Sequence, residues 1–440
     1  MRYRLPRCID GAVLLIAIFL IVHNVNAPLD THVSVSDYAA RVGDLDKQVG
    51  AVILAAYGLL ALFFNRQQVF TFRIGSGVCA FLFLAVATAS LAWSQSPELS
   101  ASRWFGMMTV VVAAAAAVKR LGTIDVLRWC FFAELMYLTL GILNELRCGT
   151  FQPVSAGYRF HGINDDNSTG TEAVILLFAS IAMSRRAPSS WLYRSGIVMA
   201  IALMVMTRSR TALVSCIVAL GIVYGVIYLR RRARILLLYG VALAGIGVIA
   251  LTEADFINMN AVMSLGRSDA SSDALTGRIP LWNELYEDYA RPRIVTGYGY
   301  GAFWTRERIE AISRHRKWKV AAAHSIYLDS VLAVGLIGGL LYLLTLAGLL
   351  ATALKLAEMR KEEGVFWACV LCALLLDGVS DSSPWYIASM YFFMSVQAVF
   401  VLCSLDVQRA IHGAGVYSND DHPLDGLLDH EKPEVTGVLH

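Results

Sequence analysis

About twelve apolar runs of roughly membrane-spanning length divide this chain, and no other feature limits its fold so tightly. They fall near 9–23, 49–64, 74–93, 104–118, 126–144, 170–183, 191–206, 212–229, 235–251, 325–354, 365–380 and 385–403. A helix that crosses lipid needs about 20 mostly apolar residues. Composition agrees: 57% of the 440 residues are hydrophobic and 16% are charged, against roughly 25% charged in a soluble domain. The fold class expected is all-α, a polytopic membrane protein of about twelve transmembrane helices. Arg2, Arg4 and Arg7 precede the first run, and Val25-Asn26-Ala27 has the small-residue look of a cleavage site. Pro28 would then open the mature chain, which disfavours cleavage, so the run is read as an uncleaved first helix.

Loop charge sets the orientation. With the N-terminus inside, the inner connections carry eighteen Lys and Arg residues and the short outer ones seven, the asymmetry of the positive-inside rule. Four regions follow: 1–251 with helices one to nine, a long external (periplasmic) loop at 252–323, 324–405 with helices ten to twelve, and a disordered cytoplasmic tail at 406–440. A loop of such length in a compact protein is usually functional. Within it, 281–290 reads as a short amphipathic helix. The Gly- and aromatic-rich 298–304 reads as a turn or a surface at the membrane interface. The net charge of +3 gives no reason to expect a nucleic-acid partner. Cys369 and Cys372 form a lone C-x-x-C inside an apolar run and read as small buried hydrophobes, not as a metal or redox pair.

Arg208 and Arg210 lie between two apolar runs at an external turn. They either snorkel to lipid headgroups or line a polar cavity and bind an anion, for which the planar guanidinium suits phosphate. Arg278 precedes the amphipathic helix, near a terminus that favours anions. His324 opens the tenth helix. The helix dipole there disfavours imidazolium, and a neutral imidazole beside a hydroxyl can act as a general base. The plainer alternative is a capping or interfacial histidine, as His23, His32 and His315 are also external. His161, Asp165 and Asp166 share a polar loop before the sixth helix, but their spacing matches no metal loop, and the segment reads as a cap lining the cavity. Glu134 lies within the fifth helix. Asp377 and Asp381, four apart, share one face near the outer end of the eleventh. They are either a proton relay or hydrogen-bonded carboxylates that hold structure or orient an acceptor.

In order, the chain shows R-x-x-G-x4-N-x-x-G from Arg159, the Arg208-Ser209-Arg210 turn, Gly277-Arg278-x-x-x-Trp282, Gly297-Tyr-Gly-Tyr-Gly-Ala-Phe-Trp304 and Ala323-His-Ser-x-Tyr-Leu-Asp329. This series resembles the O-antigen ligase and exopolysaccharide polymerase superfamily of bacterial envelope glycosyltransferases, from about residue 159 to 339. Ser325 stands where many relatives carry Asn.

The resemblance implies a reaction in the bacterial inner membrane, with the active site facing the periplasm. A glycan would pass from undecaprenyl diphosphate to a sugar hydroxyl, with inversion, no metal and no cofactor. His324 would be the catalytic base. Arg210 or Arg208, with Arg278, would hold the diphosphate. Arg159, Asn167, Tyr327, Asp377 and Asp381 would serve the acceptor or the cavity. The implied partners are the undecaprenyl-diphosphate-linked oligosaccharide, a glycan acceptor, membrane lipids, and chain-length regulator and flippase proteins. The Gly-Tyr-Gly stretch favours a polysaccharide polymerase; the alternative is an O-antigen ligase joining glycan to the lipid A core. The basic stretch 306–319 would meet an acidic glycan or anionic headgroups. A polysaccharide or lipid transporter is the rival from another class, and a non-catalytic assembly subunit a third. No convincing internal repeat marks a transporter, and the long external loop suits a transferase better.

Overall fold

The computed structural model describes residues 45–64, 70, 75–155, 157–163, 166–229, 278–318, 320–379, 381, 390–404, 407–409 and 411. Among these the chain forms helices, turns and one isolated antiparallel bridge, Phe70 to Ser404. The helices are α1 (Leu45–Phe64), α2 (Gly75–Ala89, extended by a 3-10 turn over Ser90–Trp93), α3 (Pro97–Leu121), α4 (Thr123–Cys148), α5 (Asp166–Arg186) and α6 (Trp191–Thr207). There follow α7 (Arg210–Tyr228), α8 (Arg278–Glu284, continued by a π turn over Leu285–Ala290), α9 (Arg306–Arg316), α10 (Ile326–Glu358), α11 (Glu362–Asp377) and α12 (Met390–Leu402).

Ten of the twelve apolar runs coincide with helices among the described residues; those at 9–23 and 235–251 lie outside them, as do His23, His32, Asp165, Lys319 and residues 412–440. Among the described residues five helices are long and apolar enough to cross a membrane: Gly75–Trp93, α3, α4, α7 and α10. Lipid offers no hydrogen bonds, so a spanning segment must satisfy its backbone internally, as a helix does. Large apolar side chains face outward, among them Leu59, Phe63, Phe81, Val198 and Leu344. The centre is α11, where residues 365–374 are all buried, Cys369 and Cys372 included. Small residues let the helices approach closely. Ala113 to Ala117 of α3 are buried, and a Cβ on Gly348 of α10 would press on Ser76 of α2 at 2.8 Å.

The chain reverses at each end of this bundle. At one end Arg185 faces Glu362 at 3.9 Å, and Lys119 donates to the carbonyl of Leu62. The other end holds the start of α3, the 149–163 loop, the turn between α6 and α7, the α8–α9 segment and the start of α10.

At that second end the expected tenth span is corrected. Helix α10 is interrupted at Gly335, whose φ of 72° and ψ of 180° are non-helical. The part from 336 to 358, about 35 Å long, is by itself long enough to cross a bilayer. The break would strand backbone groups, and residues 294–299 satisfy them. Tyr298 N–H donates to the Leu332 carbonyl at 2.8 Å, Gly299 N–H to Ala333 at 3.0 Å, and Leu336 N–H to Ile294 at 2.7 Å. A Cβ on Gly335 would lie 2.0 Å from the Val295 carbonyl oxygen. Gly297 and Gly299 also have left-handed φ, and each lies against backbone where a Cβ would not fit.

The interface-surface reading of 298–304 is therefore corrected as well. Tyr298, Tyr300, Phe303 and Trp304 are buried. With Leu281, Leu285, Ile309, Ile312 and Leu332 they build a second small core, apart from Tyr300, which joins the main one. The aromatic run packs the loop into the broken helix and presents no face to lipid.

Gly335→Ala is expected to lower the melting temperature in detergent by many degrees. It combines a left-handed φ costing about 1–2 kcal/mol with a backbone clash. Gly221→Ala, where a Cβ meets nothing within 4 Å, should leave the melting temperature near the wild-type value.

Candidate functional site

The segment that begins at Arg278 returns to itself at His324. From α8 the chain runs through the 294–301 insertion and α9 to the turn at 320–325, where His324 sits just before Ser325, the cap of α10. His324 has a left-handed φ of 51°, a conformation costing a non-glycine residue of order 1 kcal/mol. Trp282 of α8 donates its indole N–H to the Ala323 carbonyl at 2.8 Å. Ile326 N–H donates to the Gly378 carbonyl at the end of α11, at 2.9 Å. The Trp318 ring lies 5.7 Å from the imidazole, tilted by 30°.

These ties bring His324 within electrostatic reach of Arg278, and Arg278 within reach of Asp381. Burial, and then the Arg278 guanidinium, hold the His324 imidazolium pKa down at about 4. The direction agrees with the expectation from sequence, but the named causes are desolvation and a neighbouring cation. Arg278 itself lies below its ordinary value because burial outweighs the attraction of Asp381. It opens a helix of only seven residues, so the side chain supplies the cation with little from a helix dipole.

Asp377 is buried behind this group. Its Oδ2 accepts from the Tyr391 hydroxyl at 2.8 Å, and Ser215 of α7 also faces its carboxyl. Ser215 stands five residues from Arg210, so α7 carries Arg210 to the same end of the bundle. Arg210 is half-buried at the first position of α7, whereas Arg208 is exposed, with a left-handed φ, at the end of α6. Tyr327 donates its hydroxyl to the Leu375 carbonyl at 2.7 Å, which joins α10 to α11. Arg159 donates through Nε to the Thr207 carbonyl at 3.0 Å and so closes the end of α6. Asn167 is exposed on the first turn of α5.

The polar loop before α5 has an anchor that sequence reasoning missed. Glu145, at the end of α4, accepts from His161 N–H at 2.7 Å and Gly162 N–H at 3.0 Å through Oε1. Its Oε2 accepts from the Tyr158 hydroxyl. Asp329 and Trp304 were quoted within motifs but given no role; Trp304 Nε1 donates to Asp329 Oδ1 at 2.7 Å. Arg103 of α3 was counted only as a loop charge, yet its Nη1 donates to the Gly301 carbonyl. A carboxylate just beyond an apolar run was the one available signal for Glu145.

Much of the basic stretch is tied internally. Arg306 pairs with Glu310 at 3.1 Å, Arg316 pairs with Glu284, and Arg308 lies over the Tyr298 ring at 4.3 Å. Among the described residues no three His, Cys, Asp or Glu side chains gather in a metal-like group. The carboxylate of Asp165 and the side chain of Asp166, weighed as such ligands, lie outside those residues.

Residues 195–343 match the family model described as O-Antigen ligase. The match takes in Arg208, Arg210, Arg278 and His324, and leaves Arg159, Asn167, Asp377 and Asp381 outside. No curated protein matches the chain.

Glu145→Gln should loosen the 158–163 loop. Losing a charged acceptor shared by buried donors costs about 1–3 kcal/mol. Hydrogen exchange at the His161 and Gly162 amides is the measurement, and faster exchange at both is the expected result.

Proposed function

We propose, from the match of residues 195–343 to the family model described as O-Antigen ligase, that this chain belongs to that superfamily and is a membrane glycosyltransferase acting as a polysaccharide polymerase. It transfers a glycan from undecaprenyl diphosphate to a sugar hydroxyl at the periplasmic face of the inner membrane. The observation that carries this reading is the meeting of Arg278 and His324 beside Asp381, from segments 46 residues apart in sequence.

In the proposed reaction the acceptor oxygen attacks the anomeric carbon as the carbon–oxygen bond to the diphosphate breaks. The bonding pair leaves with undecaprenyl diphosphate, and the hydroxyl proton passes to His324. Arg278 and Arg210 stabilise the charge gathering on the leaving group, as fixed cations in a low-dielectric site do well. The half-buried position of Arg210 supports it over exposed Arg208 for this role. Asp381 lies within electrostatic reach of Arg278 and orients it.

Arg278 makes the base respond to the donor. Alone, the guanidinium disfavours imidazolium at His324. A bound diphosphate offsets that charge, so the imidazole becomes a stronger base when the donor is in place.

The test uses purified protein in nanodiscs with lipid-linked repeat units, the products being sized. Growing chains on the lipid carrier support polymerisation. Transfer only when lipid A core is supplied supports the ligase alternative, which the description of the matched family model favours. His324→Ala should lower the rate by about 10²–10⁴-fold, and Arg278→Ala by about 10²–10³-fold. Wild-type rates of either His324 or Arg278 variant would refute the reading.

The pH profile has a defined sign. The free enzyme holds His324 neutral above about pH 4, so kcat/KM should fall only below that. The limb in kcat, which reports the donor complex, should lie at higher pH. In Arg278→Ala both limbs should move to higher pH, because the repulsion that lowers the imidazolium pKa is gone from the free enzyme and from the complex alike.

A further inference from the structure

We propose that Asp329 is a positioning residue for His324, acting with Trp304 to hold the backbone of Ala323 in the conformation that keeps the imidazole of the next residue beside Arg278. This rests on the reading of His324 as the general base.

A left-handed backbone at a non-glycine residue persists only where its surroundings hold it. At His324 the hold is applied to both backbone groups of the preceding residue. The Ala323 carbonyl accepts from Trp282, and the Ala323 N–H reaches the Asp329 carboxylate, 3.4 Å from Oδ1 and 3.3 Å from Oδ2. Asp329 is buried, and its Oδ1 also takes the Trp304 indole N–H at 2.7 Å. The residue lies in the first turn of α10 but serves groups outside the helix. It reaches back past the Ser325 cap to the Ala323 N–H and across to the aromatic loop. A leucine here would leave two buried N–H groups without acceptors. Asparagine would offer one oxygen where aspartate offers two, and would turn an NH2 toward a donor.

The charged and aromatic groups facing His324 are Arg278 from α8 and the Trp318 ring, with Asp381 beyond Arg278. If the turn relaxes, the imidazole gains water and moves from Arg278. Both changes return its pKa toward the ordinary value of about 6.5. A defect in positioning therefore leaves a mark that simple loss of folded protein does not.

The experiment measures kcat, donor KM and the acid limb of kcat/KM for full-length wild type, Asp329→Asn, Trp304→Phe and His324→Ala in nanodiscs with lipid-linked repeat units. Asp329→Asn should lower kcat about tenfold or more, leave donor KM within about threefold because Arg278 and Arg210 remain, and raise the limb by about one unit or more. Trp304→Phe removes only the indole N–H and should shift kcat and the limb the same way, by less. It decides the matter if Asp329→Asn does not fold. Unchanged kcat and limb in both variants, with wild type active and His324→Ala inactive, would overturn the positioning role and leave the general-base reading standing. A fall in kcat with an unmoved limb would likewise overturn it, as a structural effect only. Full activity in His324→Ala would overturn both.

Discussion

A helix broken inside a membrane protein has to be repaired by something other than water, and the break at Gly335 governs the arrangement of the whole site. The carbonyls of Leu332 and Ala333 and the N–H of Leu336 lose their helical partners there. At membrane depth each unsatisfied group costs several kcal/mol. The backbone of residues 294–299 answers them one by one, which fixes the loop to the helix at a single register. Because that loop follows directly from α8 and leads through α9 to His324, one closed circuit of chain carries both the cation and the base. Arg278 stands at its start and His324 near its end, just before the half-helix that the break releases. The circuit is fastened twice more, by Trp282 on the Ala323 carbonyl and by Trp304 on Asp329.

The helical bundle was largely legible from sequence because lipid imposes it. Ten apolar runs reappear as helices within a few residues of the expected ends, since a run without charge has nowhere else to fold. Gly335 was not legible for the same reason. Its neighbourhood, Val334-Gly335-Leu336-Ile337-Gly338-Gly339, reads as an ordinary small-residue stripe on a spanning helix. Only the partner loop reveals that the first of these glycines is a break. The aromatic run 298–304 had two readings, a turn or an interfacial surface, and only the second is overturned. Tyr and Trp near a span suggest an interfacial belt, yet here they fill a core that the loop and the broken helix share.

The site divides along a similar line. Arg210 could be singled out because charge bounded by apolar sequence needs an explanation, and Arg278 and His324 because each stands at an expected helix start. The acceptors that place the loops could not. Glu145 and Asp329 act on backbone N–H groups and on a tyrosine or tryptophan, and such pairings have no period and no fixed spacing. Arg159 shows the same limit from the other side. Its motif position suggested the cavity, while its Nε meets the Thr207 carbonyl.

The electrostatic character of the site follows from where these positions lie. A guanidinium taken partly out of water loses hydration that a single nearby carboxylate does not restore, and Arg278 is in that condition, with burial outweighing Asp381. Its unmet demand is for an anion. The same deficit presses on His324, which is kept neutral by its own burial and by that cation. In the proposed reaction an incoming diphosphate relieves both at once, giving the guanidinium further acceptor oxygens and offsetting the repulsion that lowers the His324 pKa. Two groups that are each poorly solvated alone thus stand within electrostatic reach of one another, on a loop that the backbone contacts at Gly335 fasten to α10.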